Sequence, residues 1–257
     1  MSLQIRRLKF IMSNTKKKIL ISSGAVLLIL LIIMCSFFIY ASIYYKADET
    51  AQEAIKGNDL VTVEFNSKKD YYAFIPKEEY TSGFIFIPGG KVEPTAYAPL
   101  MLKLAQEGVL CILLKVNFNL AIVDQNAPNG IKEDFKDVEK WSIGGHSLGG
   151  TVSTMYLSKH KDEFEGLVLL GSYPSVDLSA VNVDCVVIYG SNDKVMNMDK
   201  FEKSKTYLPT LTTIHKLNGG NHAQFGSYGP QKGDGQATIS QETQIDLTVV
   251  NALTVLW

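Results

Sequence analysis

Three residues of this 257-residue chain have the types and the order that acyl-transfer chemistry needs. Ser147 supplies a hydroxyl, Asp193 a carboxylate and His222 an imidazole. A serine hydroxyl is a weak nucleophile at neutral pH, so it needs a base that removes its proton and a carboxylate that orients the base. The three residues therefore predict attack by Ser147 on an acyl carbonyl, provided that the fold brings them together.

The sequence around Ser147 has the pattern G-x-S-x-G, which runs from Gly145 to Gly149. Residues 141–146 are apolar enough for a buried strand, and residues 150–157 have helical spacing. A strand–turn–helix unit with this pattern is a nucleophile elbow, which exposes the serine at the tip of a strained turn. The flanking glycines are needed because the two backbones approach too closely for a Cβ atom.

His222 is the best placed of the four histidines to act as the base. It follows the last predicted strand in a glycine-rich loop, and ligands of parallel sheets sit beyond the carboxyl ends of the strands. His146 is inside the elbow and its side chain is expected to point elsewhere, His160 ends the next helix, and His215 lies within a predicted strand. A solvated loop histidine is the alternative for His222.

The acid is expected directly after the preceding strand, and Asp193 follows the apolar residues 186–190. The resulting order of serine, acid and histidine along the chain is the one that accompanies a nucleophile elbow. An aspartate that caps a turn is the alternative role for Asp193. Asp177 and Asp184, in the connection before it, are the fallback candidates.

Acyl transfer also needs backbone N–H groups that bind the negative oxygen of the intermediate. Leu148 offers one at the start of the elbow helix, where the helix dipole favours negative charge. The second is expected in the loop after the third strand, from Gly90 or Lys91, and the sequence does not choose between them. A plain turn is the alternative for this loop.

Eight strand-like segments are predicted to position these residues. Residues 60–65 and 71–75 are expected to form an antiparallel hairpin. From the third strand onward, strands alternate with helices. One of these helices is expected within residues 117–139. Continuous apolar strands separated by helices predict an α/β fold, a mainly parallel sheet with helices on both faces. Residues 171–184 are too few for a cap domain, so the pocket is expected to be open.

An apolar segment precedes the sheet. Residues 19–40 carry no charge and are long enough to cross a membrane as a helix. Residues 1–18 carry six basic side chains and no acidic ones, which predicts that they stay in the cytoplasm while the large domain lies outside. A cleaved signal peptide is the alternative, although the apolar region is longer than usual and no convincing cleavage site follows it.

The predicted organisation is a basic segment at 1–18, a transmembrane helix at 19–40, a linker at 41–58 and an α/β domain at 59–257. Acidic residues exceed basic ones after the basic segment, so nucleic acid is not an expected partner. The three cysteines have no metal-binding spacing, and neither a metal nor a cofactor is expected. The oligomeric state does not follow from the sequence.

With these residues at strand ends, residues 59–257 resemble the α/β-hydrolase fold family, and within it the small bacterial hydrolases similar to dienelactone hydrolase. The stretches that carry the resemblance are Phe86–Val92, Gly145–Gly150 and Asn221–Gly226. Dienelactone hydrolase itself has a cysteine nucleophile, so Ser147 favours a general ester over that lactone. The resemblance implies the fold and acyl-transfer chemistry, whereas the substrate does not follow from it.

These observations predict a membrane-tethered serine hydrolase, most simply a carboxylesterase, on the outer side of a bacterial cytoplasmic membrane. Its substrate would be a small-molecule ester or an ester of the cell envelope. An envelope acyltransferase or peptidase would use the same three residues and differ only in the acyl acceptor or the bond cleaved. A non-catalytic binding module that retains the fold is the alternative from another class.

Overall fold

A computed structural model describes residues 14–257 of the protein, with side chains described from residue 23 onward. The chain divides into two compact units, and the boundary falls between Ile43 and Tyr44. Most of the predicted basic segment at 1–18 lies outside the described residues.

The first unit contains one long apolar helix, α1, which spans Asn14–Ser42. Its segment Ser23–Ser42 has a mean hydropathy of 2.7 and is long and apolar enough to cross a membrane. A helix of this length rises by about 30 Å, which is the thickness of the hydrocarbon core. A signal sequence near an N-terminus passes the same test of length and composition, so α1 is a candidate membrane span.

The second unit is built on one eight-stranded sheet. Its strands are β1 Val61–Asn66, β2 Tyr71–Pro76, β3 Ser82–Ile87, β4 Val109–Leu114, β5 Lys140–His146, β6 Gly166–Leu170, β7 Asp184–Gly190 and β8 Thr212–Leu217. Their order in the sheet is β1-β2-β4-β3-β5-β6-β7-β8. β2 runs antiparallel to β1 and β4, and the other neighbours are parallel. The predicted hairpin and the mainly parallel sheet are therefore confirmed.

Helices cover both faces of the sheet. They are α2 Glu49–Ala54, α3 Ala98–Gln106, α4 Leu148–Lys159, α5 Met198–Ser204 and α6 Gln241–Ala252. Because side chains alternate along a strand, Phe84 and Phe86 of β3 enter one core while Ile85 and Ile87 enter the other. Helices α2, α3 and α6 contribute to the first core, and α4 and α5 contribute to the second. This two-faced arrangement confirms the predicted fold class.

The predicted linker at 41–58 is wrong for residues 44–58, which belong to the second unit. Ala47 and Ala51 are buried in the core that α3 also lines. Asp48 caps α2, because its carboxylate accepts the N–H of Ala51 at 3.0 Å. Small apolar side chains on this segment thus attach it to the domain.

The helix expected within residues 117–139 is absent from that range, and short 3₁₀ turns replace it. They span Asn117–Asn119, Ala121–Val123 and Lys132–Asp134. Phe118 and Asn119 have φ values of 58° and 53°, which a right-handed helix does not allow. The carboxylate of Asp124 also accepts the backbone N–H of Asn117 at 3.0 Å, so a local side-chain bond competes with helix formation.

The connection between β6 and β7, residues 171–183, contains neither a helix nor a strand. It is too short to build a separate cap over the carboxyl edge of the sheet, in agreement with the sequence. The residues that follow β5, β7 and β8 at this edge are therefore covered by loops alone in the described part of the chain.

Gly149 lies where α4 passes close to the end of β3. A Cβ atom at this position would lie 2.1 Å from the carbonyl oxygen of Ile87 and 2.4 Å from that of Pro88. We predict that Gly149→Ala lowers the free energy of unfolding by at least about 2 kcal/mol, because backbone atoms cannot move aside without disturbing β3. Urea unfolding of the full chain in detergent, followed by the fluorescence of buried Trp141, measures the change.

Ser158→Ala is the matched control in the same helix. It removes a hydroxyl that donates to the carbonyl of Met155 and adds no atom to the packed interface. Its effect should stay within about 1 kcal/mol. Equal stabilities of the two variants would contradict the close approach at Gly149.

Candidate active site

Ser147 occupies the turn between β5 and α4. Its φ and ψ angles are 52° and −121°, a conformation that is strained for any residue other than glycine and costs on the order of 1–3 kcal/mol. The surroundings hold this backbone in place: Ser147 N–H donates to Leu170 O at 2.9 Å, and the Ser172 hydroxyl donates to Ser147 O at 2.7 Å. The strained turn predicted for the elbow is present.

The two glycines of the elbow have the close contacts that the sequence predicts. A Cβ atom on Gly145 would lie 2.4 Å from the carbonyl oxygen of Ile87, and one on Gly149 would lie 2.1 Å from the same oxygen. The end of β3 therefore touches both sides of the turn that presents Ser147. The half-buried serine is fixed relative to β3 as well as to β5.

Asp193 and His222 form a buried pair after β7 and β8. The Nδ1 atom of His222 lies 2.7 Å from Oδ2 of Asp193, and the exposed fractions of the two side chains are 1% and 0%. A carboxylate accepts hydrogen bonds, so Nδ1 carries a proton and donates it. The structure thus brings together the acid and the base that the sequence predicts.

Backbone groups complete the surroundings of the Asp193 carboxylate. Its Oδ1 atom accepts the N–H groups of Val195 at 2.9 Å and of Met196 at 2.8 Å. Three hydrogen bonds in total compensate for removing this carboxylate from water. They also fix its orientation, so that Oδ2 remains directed at the imidazole of His222.

The second ring nitrogen of His222, Nε2, is buried. With a proton on Nδ1, the neutral ring has a lone pair on Nε2, and this buried atom has no hydrogen-bond partner. Ser147 and His222 line the same cleft, whose volume is about 240 Å³. The direct hydrogen bond between Ser147 and Nε2 is not formed in this structure, and such bonds often tighten only when substrate binds.

A larger cavity of about 510 Å³ lies beside the loop that carries His222. Its lining includes Asn221, Ala223 and Gln224 but neither Ser147 nor His222. The smaller cleft is therefore the candidate active site, because reacting groups have to face the bound substrate. Among residues 14–257, no group of three His, Cys, Asp or Glu side chains is arranged to hold a metal ion.

Of the predicted oxyanion donors, Leu148 lines this cleft, and Gly90 lies beside Leu148. Leu148 begins α4, and a Cβ atom on Gly90 would lie 2.9 Å from the Leu148 side chain, so the two segments are in contact. The N–H of Lys91 donates to Asn119 O at 2.7 Å, and that of Gly89 donates to the Tyr97 hydroxyl at 3.0 Å. The N–H of Lys91 is therefore already bound within the domain.

The sequence analysis wrongly directs the side chain of His146 away from the site. Its ring centroid lies 4.4 Å from that of His222, and it is buried. The Tyr97 hydroxyl accepts the N–H of Gly89 and is also hydrogen-bonded to His146 Nδ1 at 2.8 Å. Burial and the adjacent His222 ring lower the pKa of His146 well below its usual range, so it stays neutral.

Gly171 is a further residue that the sequence analysis misses. It follows β6 with a φ of 50°, and a Cβ atom there would lie 2.9 Å from Nδ1 of His222 and 3.3 Å from Oδ2 of Asp193. A larger residue would therefore push the acid–base pair apart. Its position directly after a parallel strand is the signal that could have identified it.

The remaining candidates from the sequence lie outside the cleft. The ring of His160 stacks on Tyr156 with a centroid distance of 4.1 Å, and His215 is in the middle of β8. Asp177 is exposed, and Asp184 is the exposed first residue of β7, at the opposite end of the strand from Asp193. The fallback acids are therefore not beside His222.

The match to a protein family agrees with this arrangement. A family described as the alpha/beta hydrolase family matches residues 83–246, which is more than half of the chain. No curated protein sequence matches the chain.

Two solved structures share the fold. A predicted CIB-like hydrolase from Thermoplasma acidophilum is 12% identical with a TM-score of 0.51, and the alignment covers 74% of this chain and 96% of that one. Carboxyl esterase 2 from the fungus Tuber melanosporum is 12% identical with a TM-score of 0.54, covering 83% of this chain and 91% of that one. The chain belongs to the alpha/beta hydrolase family, as its resemblance in sequence predicts.

Proposed function

We propose that this hydrolase cleaves carboxylic esters with Ser147 as the nucleophile, His222 as the base and Asp193 as the group that orients the base. The observation that carries the proposal is the buried 2.7 Å bond between His222 Nδ1 and Asp193 Oδ2. This bond leaves Nε2 unprotonated and without a partner at the cleft that Ser147 lines. A lone pair held in that place is what a serine nucleophile requires.

In the first half-reaction, Ser147 Oγ attacks the ester carbonyl while its proton passes to His222 Nε2. The tetrahedral intermediate then collapses, the bond to the leaving alcohol breaks, and Nε2 returns the proton to that alcohol. In the second half-reaction, water attacks the acyl-enzyme by the same route and releases the carboxylic acid. Asp193 stabilises the imidazolium that forms in each step.

The backbone N–H of Leu148 and that of Gly90 are the proposed oxyanion donors. Leu148 is the first residue of α4, where the helix dipole adds to the attraction for negative charge. Gly90 is preferred over Lys91 because the Lys91 N–H is engaged with Asn119 O. The missing side chain of Gly90 lets substrate approach that backbone closely.

We also propose that α1 anchors the enzyme in a membrane with the catalytic domain on the non-cytoplasmic side. The apolar length of Ser23–Ser42 and the basic residues that precede it support this topology. A short-chain or bulky ester suits the small open cleft better than a substrate that needs a deep tunnel. Acyl transfer to another alcohol and peptide cleavage remain possible with the same residues, and product analysis distinguishes them.

Ser147→Ala tests the nucleophile. We predict a fall in kcat on the order of 10³–10⁶-fold on p-nitrophenyl esters, because no hydroxyl remains to form the acyl-enzyme. The wild-type chain should also react covalently with a fluorophosphonate probe, and the variant should not. Mass spectrometry of the labelled peptide locates the modification.

The matched control is Ser175→Ala, which removes an exposed hydroxyl of the connection after β6 that lies outside the cleft. It should remain labelled at Ser147, because the nucleophile and its base are unchanged. Wild-type turnover by Ser147→Ala would contradict the assignment, and a folded wild-type chain that takes up no probe would favour the binding module.

Asp193→Asn tests the acid. The amide oxygen can still accept from Val195 and Met196, but its NH₂ group would then face Nδ1 of His222. The ring would have to carry its proton on Nε2, so it could not accept the proton of Ser147. We predict a loss in kcat on the order of 10⁴-fold on the same esters.

Asp177→Asn is the control, since this exposed fallback acid lies outside the cleft. Its kcat should match that of the wild type. A large loss in this variant with full activity in Asp193→Asn would reverse the assignment of the acid.

The pH dependence of kcat/KM tests the base. We predict that kcat/KM decreases on the acid side, because protonated His222 cannot accept the serine proton. The decrease in kcat/KM should correspond to the protonation of one group. Burial keeps the pKa of the adjacent His146 well below its usual range, so His146 should not add a second protonation step to the profile. A profile that is flat between about pH 5 and 8 would argue against a histidine base.

A further inference from the structure

The segment that joins α1 to the domain is bound to the rim of the candidate active site. Tyr45 N–H donates to Lys91 O, and Glu93 N–H donates to Tyr45 O, each at 2.8 Å. These bonds form a parallel bridge between Tyr45 and Val92. Lys91 directly follows Gly90, so Tyr45 is attached to the loop that carries the proposed oxyanion donor.

The same segment is bound to the loop that follows His222. Asp48 N–H donates to Ser227 O at 2.9 Å, and Lys232 N–H donates to the Tyr45 hydroxyl at 3.0 Å. The rings of Tyr45 and Tyr228 lie 5.5 Å apart. The chain therefore enters the domain at the carboxyl edge of the sheet, between the two loops that flank the candidate site.

Covalent connectivity then limits how far this edge can be from the end of α1. The helix ends at Ser42, and Tyr45 is three residues further on. Three Cα–Cα steps of 3.8 Å reach at most about 11 Å. The Cα atom of Tyr45 therefore lies within about 11 Å of that of Ser42, the last residue of α1, at any angle of the helix.

Exposed apolar side chains lie on the neighbouring loop of the same edge. Phe118, Ile122 and Val123, after β4, have exposed fractions of 45%, 39% and 52%. Their loop is joined to the attachment point, because Asn119 O accepts the N–H of Lys91. Exposed apolar side chains grouped beside a membrane anchor are suited to insertion into the interface of a bilayer.

Exposed lysines accompany these apolar residues. Lys46 lies in the attached segment, Lys194 follows the proposed acid, and Lys232 is in the loop bound to Tyr45. Lysines close to a membrane surface are attracted to anionic headgroups, by about 1 kcal/mol each. The exposed apolar side chains point to the lipid bilayer as the occupant of this edge, where these lysines would meet anionic headgroups.

We propose that the carboxyl edge of the domain rests on the membrane surface where α1 emerges, and that the substrates are acyl esters of amphiphiles held in that leaflet. This inference rests on the proposed ester hydrolysis for its chemistry. The cleft of about 240 Å³ accommodates the reacting ester and a short part of its acyl group, while the rest of the amphiphile stays in lipid. Water is the acceptor, and the products are the free acid and the amphiphilic alcohol.

Fluorescence quenching tests the orientation independently of catalysis. Val123→Cys and Leu211→Cys, each in a Cys35→Ser background, place one dye on either edge of the sheet. Both positions are exposed and apolar, but Leu211 directly precedes β8 at the amino edge, and the remaining native cysteines are buried. With the full chain in phosphatidylcholine–phosphatidylglycerol vesicles, nitroxide-labelled headgroups should quench the dye at position 123 several-fold more than the dye at position 211.

A spacer tests whether the short attachment matters for the substrate. A flexible Gly/Ser segment of about 20 residues between Ile43 and Tyr44 allows an average separation of about 25 Å. We expect the ratio of hydrolysis of a vesicle-borne fluorogenic diacylglycerol ester to that of soluble p-nitrophenyl butyrate to fall about tenfold, because the local concentration falls. The same segment added after Trp257 is the control and should leave the ratio unchanged.

The outcomes separate this inference from the proposed function. Equal quenching at positions 123 and 211, or an unchanged ratio with the spacer, would overturn the membrane-facing orientation even if soluble ester is cleaved through Ser147. Loss of both ester activities in the wild-type chain would instead refute the proposed function, and with it the substrate class. Preferential quenching together with the lower ratio would support the inference.

Discussion

The candidate site depends on the buried hydrogen bond between Asp193 and His222. A carboxylate that is withdrawn from water is costly unless hydrogen bonds replace its hydration. Here the imidazole satisfies one oxygen and the backbone N–H groups of Val195 and Met196 satisfy the other. Two loops that follow different strands must therefore keep a fixed distance, because the bond joins a residue after β7 to a residue after β8.

Close backbone packing maintains that distance. Gly171 lies against both members of the pair, with space for no side chain of its own. Gly190, at the end of β7, packs on Gly220, so that a Cβ atom would lie 2.4 Å from its carbonyl carbon. The loops after β6, β7 and β8 are thus in mutual contact at one edge. The parallel strands set the spacing of these loops, and the glycines allow the loop backbones to approach each other.

The sequence predicts Ser147, Asp193 and His222 as candidates because their positions follow from local rules. Each residue directly follows a strand or lies in the loop after it, and the carboxyl ends of parallel strands share an edge. The fold class follows in the same way from strands that are apolar on both faces. These features need only short stretches of sequence and the known geometry of parallel sheets.

Contacts between distant segments are harder to predict. Tyr97 and His146 are 49 positions apart, and only the folded chain shows that their hydrogen bond lies beneath His222. The helix expected within residues 117–139 fails because positive φ values and a bond from Asp124 compete with it. Residues 44–58 look like a linker because they are polar, yet Ala47 and Ala51 are buried against the domain.

The attachment at Tyr45 also bears on how well the site is organised before substrate arrives. The loop that contains Gly90 is bonded to Tyr45 on one side and to Asn119 on the other. Oxyanion donors are effective when they need not reorganise during the reaction, because their dipoles are then already aligned. A loop held from both sides meets that requirement better than a free turn. The segment that follows α1 therefore contributes to the geometry of the proposed oxyanion site.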